Sequence, residues 1–308
     1  MSRGLGDVYK RQGEYIPKDQ AKISPLTHTL HYGLGAFEGV RSYQSYDGKK
    51  SVIFRLVDHT KRLLESAKII GVDVDYSLDQ LIEAQIEVVK RSKLTNSYIR
   101  PLVYIGSERL GLDIIDIDRH VMISCIEWPN YFGSDAQEKG IEVMISSFTR
   151  QFPNSLMTKS KISGGYVNGI MAHDLARKNG FQEAILLDTN GFIAEGSGQN
   201  IFLVKDGELL TPSLNCCLNG ITRRTVMEFA KDNNIPVKER NITRDEICVA
   251  DEVFLCGTAS EIAPVKGVDK IKIGNGKRGD VTGLIQKLYL DTVSGKLEQY
   301  QSWLTSVE

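Results

Sequence analysis

Gly274-Asn275-Gly276-Lys277-Arg278-Gly279 has the G-x-G-x-x-G spacing of a turn whose backbone amides can approach a pyrophosphate. A strand-like run at residues 271–273 precedes it, a helical pattern follows, and Asp291 falls where a ribose-binding acid would be sought. Too little chain follows Gly279 to complete a dinucleotide-binding domain, so the motif reads as a tight strand-to-helix turn. Lys277 is followed by Arg278 rather than Ser or Thr, which excludes a P-loop. His28 and His31, spaced i,i+3, lack a neighbouring Cys or carboxylate with which to build a zinc site. Asp113, Asp116 and Asp118 alternate with isoleucines, miss the calcium-loop spacing and read as solvent-facing positions. No metal is expected.

A set of short motifs in fixed order is far more specific than any of these. In the first half it comprises His31-Tyr32-Gly33-Leu34-Gly35-Ala36-Phe37-Glu38-Gly39-Val40-Arg41, Arg62-Leu63 before Ser66-Ala67-Lys68, and Tyr98-Ile99-Arg100-Pro101-Leu102. In the second half it comprises Lys161 before Gly164-Gly165-Tyr166, Glu195-Gly196-Ser197-Gly198-Gln199-Asn200-Ile201-Phe202, Gly220-Ile221-Thr222-Arg223 and Gly257-Thr258-Ala259. Taken together, the chain resembles the fold-type IV pyridoxal-phosphate enzymes, and within them the branched-chain amino-acid aminotransferases. The resemblance runs from about Gly13 to the C-terminus. It implies an α+β chain of two domains, like that of D-amino-acid aminotransferase, with a smaller N-terminal α/β domain and a larger, strand-rich C-terminal pseudo-barrel.

Roles for individual residues follow from the resemblance. Pyridoxal phosphate needs a lysine amine for a Schiff base, and that amine then serves as acid and base. Register to Gly164-Gly165-Tyr166 implies Lys161 for this role, with Lys159 as the competitor that spacing alone does not exclude. Glu195 is implied beside the pyridine nitrogen, where a carboxylate favours the protonated ring, and Tyr166 beside the ring hydroxyl. Gly220, Ile221 and Thr222 at a helix start, with Thr258 and Arg62, are implied for the phosphate. For the substrate, Tyr32, Phe37, Gly39, Trp128 and Tyr131 match pocket-lining positions, Tyr32 reaching across a dimer interface. Arg41, Tyr98, Arg100, Thr258 and Ala259 match positions around the carboxylates, and Arg100 or a hydroxyl cluster can make the contact that the second carboxylate of glutamate requires. Gln199 stands where many relatives carry Glu, and Ala263 where Thr is frequent.

Those side chains need elements to hold them. Residues 51–56 read as a strand with Asp58 as a following N-cap, and Leu63, Leu64, Ala67 and Ile70 mark a helix that stops at Gly71. Ser77 and Gln80 form a capping box for a second helix carrying Leu81, Ile82, Ile86 and Val89. Residues 97–105 and 121–128 read as strands. The polar run 133–140 is the linker candidate, dividing a small domain at 13–132 from a large one at 141–308. Beyond it come a strand at 141–148, a helix at 166–179 closed by Gly180, and hairpins turning at Asn190-Gly191 and Asp206-Gly207. A helix entered through Gly220-Ile221-Thr222 runs to Asn233, and short strands are expected at 237–240 and 253–256. Residues 1–12 show neither periodicity nor a signal-peptide pattern and are read as a non-native or disordered arm.

The 308 residues carry 38 Lys+Arg against 39 Asp+Glu, a balance that leaves no electrostatic footprint for nucleic acid or a membrane surface. At 41% hydrophobic and 25% charged the chain can bury a sizeable core, and no apolar run is long enough to span a bilayer. Five unpatterned cysteines point to a reducing, cytoplasmic compartment. The resemblance implies reversible transamination of Leu, Ile and Val with 2-oxoglutarate, with small amino and 2-oxo acids as partners and a homodimer, or an assembly of dimers, as the working form. D-amino-acid transamination and aminodeoxychorismate lysis are the alternatives on the same fold. Outside that fold stand a dinucleotide-dependent oxidoreductase and a non-catalytic binding protein.

Overall fold

A computed structural model describes residues 8–11, 13–17, 20–129, 131–133 and 135–308. The chain packs into two compact units that do not follow a single cut at 133–140. One unit holds the chain through Trp128 together with Ser160–Gly165 and Asp291–Glu308; the other holds Pro129–Lys159 and Tyr166–Leu290. Backbone pairing explains both returns. Phe37 N–H donates to the Lys161 carbonyl at 3.1 Å, Ala36 bridges Ile162, and the last strand, Leu304–Val307, pairs antiparallel with Ser51–Phe54.

The first unit is built on one antiparallel sheet. Its strand order is Leu304–Val307, Ser51–Phe54, Val40–Gln44, Ser97–Ile105, Arg119–Ile126, Val8–Arg11, Glu14–Pro17, with Gly35–Phe37 also on Ser97–Ile105. Helices Leu56–Ile69 and Leu78–Ser92 bury Leu56, Leu63, Ala67, Leu81 and Val88 with Ile53, Ile99, Val103 and Ile123 of the sheet. The capping box of the second helix forms as its sequence demands, Ser77 Oγ accepting from Gln80 N and Gln80 Oε1 from Ser77 N. Two expectations are corrected. Asp58 is not an N-cap: the helix already begins at Leu56, and Asp58 accepts from Arg55 Nε at 2.7 Å instead. Arg55 takes the cap position at φ 51, an uncommon conformation for a non-glycine residue, held by its N–H to Trp303 O and its guanidinium over the Trp303 ring. Val8–Arg11, expected in an arm outside the fold, form a strand on the edge of Arg119–Ile126, because backbone ladders need no side-chain periodicity. Residues 1–7 and Gln12 lie outside the described residues.

The second unit is a mixed sheet in the order Ile193–Gly196, Glu183–Leu187, Ile141–Thr149, Glu261–Val268, Glu252–Gly257, Asn200–Lys205, Glu208–Thr211, Val237–Glu239. Ile141–Thr149 runs parallel to both its neighbours. Ile193 N, on the first strand, donates to Ile242 O just beyond the last. The sheet therefore curls until its two ends meet, the expected pseudo-barrel, around Val143, Ile185, Ile201, Leu203, Val253, Leu255 and Val265. Both predicted hairpins form, with Gly191 at φ 86 and Asp206 and Gly207 at φ 49 and 78, the left-handed pair of a type I′ turn. Helix Tyr166–Lys178 ends ahead of Gly180, and the helix predicted from residue 220 spans Ile221–Asp232. The linker candidate instead carries a short helix, Ala136–Lys139.

Candidate active site

In the first unit the 31–41 motif and its neighbours make two adjoining clusters. Glu38, wholly buried, is gripped by Arg62 through Nε to Oε1 at 2.6 Å and Nη2 to Oε2 at 3.0 Å, and meets His59 Nδ1 at 2.7 Å. Such bidentate pairing fixes the plane of the guanidinium as well as its position. Against the burial that would raise it, Arg62 and His59 hold the Glu38 carboxyl far below the usual carboxylate range. Burial draws the His59 imidazole below its ordinary value, opposed by Glu38. His59 and Arg62 sit one turn apart on helix Leu56–Ile69, whose buried face also presents Ser66. Ser66 accepts from Lys161 N at 3.0 Å through Oγ, and from Ser160 Oγ at 2.9 Å through its carbonyl.

Phe37 is the centre of the second cluster. Lys161 Nζ lies 4.9 Å from its ring centroid and the Arg100 guanidinium 4.4 Å. Arg100 Nη2 donates to Tyr98 Oη at 3.2 Å, and the Tyr98 ring stacks on Trp128 at 4.4 Å. Gly39 lies so close to Tyr98 that an added Cβ would stand 1.8 Å from its hydroxyl oxygen. Arg41 faces Tyr98 across the ladder and lays its guanidinium over Tyr43. Tyr32 belongs to a different group: its ring lies against His28 at 4.5 Å, and its hydroxyl accepts from Gly111 N.

The second unit gathers its residues around segment 195–200. Glu195 Oε1 pairs with Arg150 Nη2 at 2.6 Å, while Oε2 accepts from Asn200 Nδ2 at 3.2 Å and Leu218 N at 3.3 Å. Asn200 also donates to Leu218 O, and it crowds Gly220 so closely that a Cβ there would come within 1.9 Å of its Oδ1. Gly220 is the N-cap of helix Ile221–Asp232 and brings no capping side chain, so the first-turn amides are not answered from the cap; Thr222 in that turn is buried. Tyr166 flanks Gly198, its Cε1 3.8 Å from where a Cβ would stand. The Gly257-Thr258-Ala259 turn lies against the same segment, 3.6 Å separating a Gly257 Cβ position from Gly198 O. Beside that turn Ser260 Oγ is buried with no hydrogen-bond partner. Tyr131 stands edge-on to Phe132 at 4.7 Å.

The competing lysine is already engaged. Lys159 Nζ donates to the carbonyls of Leu214 and Cys217, the latter at 3.1 Å. The G-x-G-x-x-G turn is also occupied. Glu252 fills the start of helix Asp280–Val293, accepting from Val281 N at 3.0 Å and from Thr282 N and Oγ1 at 2.7 and 2.6 Å, where a pyrophosphate would have to lie. His28 and His31 each bond a backbone oxygen, of Gly111 and Pro25, and Asp113, Asp116 and Asp118 are exposed as expected.

Four residues were assigned no role from sequence. His59 carried a usable signal, its i,i+3 spacing to Arg62 on one helix face. Glu38 was inside a quoted motif, but nothing in its spacing names Arg62 as its partner. Arg150, just past strand Ile141–Thr149, reaches Glu195 through the pairing of distant strands, which no local pattern encodes, whereas Asn200 stands five residues on, across the turn closed by Gly196 N and Gln199 O, inside the quoted motif.

The comparisons agree with one another. The profile of the amino-transferase class IV family matches residues 35–268. A branched-chain-amino-acid aminotransferase of Pseudomonas aeruginosa is 46% identical, over 96% of this chain and 96% of its own length. Among solved structures, the Escherichia coli branched-chain amino acid aminotransferase superimposes with a TM-score of 0.95 at 40% identity, covering 98% of this chain and 100% of that one. The branched-chain amino acid aminotransferase from Thermobaculum terrenum, solved in its PLP-form, gives 0.92 at 30% identity, covering 98% of each chain.

Proposed function

Since the chain belongs to the class IV aminotransferases, and within them to the branched-chain-amino-acid aminotransferases, we propose that the side chains described above divide the work of its transamination as follows. The reaction moves an amino group reversibly between Leu, Ile or Val and 2-oxoglutarate, giving branched-chain 2-oxo acids and L-glutamate. The observation that carries the assignment is the convergence of Glu195, Tyr166, the Gly220–Thr222 helix start and the Thr258 turn on one short segment. That donor set fits pyridoxal phosphate. The helix start and the partnerless Ser260 hydroxyl suit a phosphate, and the buried Glu195 carboxylate suits a protonated ring nitrogen.

Pyridoxal phosphate, when bound, supplies the electron sink that acidifies the substrate Cα–H. Lys161 Nζ anchors the cofactor and moves the proton at that carbon. Glu195, fixed by Arg150 and Asn200, holds a proton at the ring nitrogen, and Tyr166 hydrogen-bonds the ring hydroxyl. Gly220, Ile221 and Thr222 bind the phosphate with Thr258 and with Arg62, whose orientation Glu38 sets. By the resemblance we assign Phe37, Gly39, Trp128 and Tyr131 to the branched side chain, with Tyr32 contributed by a second copy of the chain, and Arg41, Tyr98, Arg100, Thr258 and Ala259 to the carboxylates. A pocket of this kind separates substrates differing by one methylene by only about 1–3 kcal/mol, so all three branched amino acids are turned over.

Two features bear on the working form. Leu30, Leu112 and Ile115 are exposed by 62%, 90% and 74%, apolar side chains suited to burial against a second copy of the chain. The five cysteines form no disulfide, in keeping with a cytoplasmic setting. Among the described residues no helix is long and apolar enough to cross a membrane.

Borohydride reduction of the holoenzyme followed by peptide mapping tests the assignment. The adduct is expected on Lys161; labelling of Lys159, or of neither lysine, overturns it. Parallel assays with L-Leu, D-Ala and aminodeoxychorismate test the reaction, which is refuted by absent turnover of all three branched L-amino acids.

A further inference from the structure

Outside the residues assigned above, the second unit holds a wholly buried carboxylate, Glu183. A charge at that depth is tolerated only when its lone pairs are well used, and these are. Glu183 Oε1 accepts from Ala184 N at 2.7 Å and meets His173 Nδ1 at 3.1 Å. Its Oε2 accepts from Gln199 Nε2 at 2.9 Å. Gln199, itself buried, turns its Oε1 the other way to accept from Gly198 N at 3.1 Å. One carboxylate thus fastens three segments: helix Tyr166–Lys178 through His173, strand Glu183–Leu187, and the turn 196–199. The helix meets that turn directly as well, since a Cβ on Gly169 would stand 2.3 Å from Ser197 O.

The fastened segments carry the side chains assigned to the cofactor ring. Glu195 immediately precedes the turn, and Tyr166 opens the helix with its ring beside Gly198. We propose that Glu183 and Gln199 are positioning residues that set Glu195 and Tyr166 in register with each other, an inference resting on the reading that those two face the cofactor ring. The array has a polarity. Gln199 satisfies both neighbours in only one amide orientation, NH2 toward Glu183 and oxygen toward Gly198 N. Gln199→Glu, the residue many relatives carry there, sets acceptor against acceptor and can be satisfied only if the two carboxyl groups share a proton. Glu183→Gln sets its new NH2 against a donor whichever way it turns. In Glu183→Gln/Gln199→Glu the polarity reverses and each contact is restored: the new amide donates to the new carboxylate, which still accepts from Gly198 N.

The four forms, with Glu195→Gln as a control, are compared as holoenzymes by the pH titration of the bound cofactor's visible absorption, by cofactor dissociation, and by kcat and KM for L-Leu. Glu183→Gln is expected to shift the spectral titration and lower kcat by roughly ten- to a hundredfold with a smaller change in KM, and Gln199→Glu to shift the spectral titration with a smaller loss of kcat. The double variant is expected to return within about threefold of the parent in kcat, with the parent's spectrum. Single variants indistinguishable from the parent, or a double variant no better than the worse single, overturn the proposal. If a single variant does not fold, the double variant decides: parental spectrum and kcat support the polarity argument, and departure from them refutes it. A Glu195→Gln spectrum identical to the parent's refutes the reading of Glu195 itself, whereas a shifted one beside unmoved Glu183 and Gln199 variants refutes only the positioning role.

Discussion

Arg62 holds Glu38 by two nearly parallel hydrogen bonds, of 2.6 and 3.0 Å, at a point where the carboxylate has no exposure to solvent. Removing one partner of such a pair strands the other's charge in the interior, which typically costs about 3–5 kcal/mol. Glu38→Ala is therefore expected to lose stability on that scale in denaturant unfolding, and to bind pyridoxal phosphate more weakly because Arg62 is no longer oriented. An unchanged midpoint and an unchanged cofactor affinity would contradict both parts.

The same pair sets an acid limit. The folded-state Glu38 carboxyl lies far below its ordinary value of 4.5, so its contribution is complete above that pH and is lost as pH falls toward the folded value. The gap in unfolding free energy between the parent and Glu38→Gln should narrow steadily below pH 4.5. A gap independent of pH would show that the carboxylate is not the titrating group.

His173 predicts the opposite slope. The Glu183 hydrogen bond raises its imidazole above the ordinary 6.5, so its stabilisation is complete below pH 6.5 and fades as pH rises through the folded value. Because the ring is part exposed, the effect is small and screened. Melting curves of the parent and His173→Asn from pH 5.5 to about 8.5 should converge at the alkaline end; parallel curves would count against the linkage.

Gly39→Ala tests the aromatic cluster. The added methyl would need the space of Tyr98 Oη, so the Tyr98–Trp128 stack and the Arg100 contact must shift. Overpacking of this kind costs about 1–3 kcal/mol. The expected signature is a KM for L-Leu raised roughly tenfold, with pyridoxal-phosphate affinity unchanged, since none of the displaced groups is assigned to the cofactor.

Glu252→Gln should be silent in catalysis. It weakens the acceptor that caps Val281 and Thr282, and a lost cap costs about 1 kcal/mol. A lowered melting temperature with unchanged kcat and KM is expected; NADH binding to either form would reopen the role of the Gly274 turn.

Much of this was legible from residue order, and what was not has a common cause. Local signals placed the 77–80 capping box, the strand at 97–105 and both hairpin turns, because each depends on side chains within a few residues of one another. The resemblance brought Lys161, Arg62 and Glu195 forward. Arg150 stayed hidden because strand pairing alone brings it to Glu195, and Asn200, though only five residues on, because nothing in the motif shows that its amide turns back onto that carboxylate. Val8–Arg11 escaped notice for the complementary reason, since a sheet edge recruits backbone without regard to pattern.

The pairing of Leu304–Val307 with Ser51–Phe54 bears on how the protein is made. A growing chain emerges from its N-terminus, yet the first unit's sheet takes a strand that is made only after the second unit. Synthesis of that unit's own core at residues 36–123 is thus not sufficient to finish it. The nascent chain carries the Ser51–Phe54 edge unpaired through translation of the second unit, and until Leu304–Val307 arrives that edge is open to pairing with other chains.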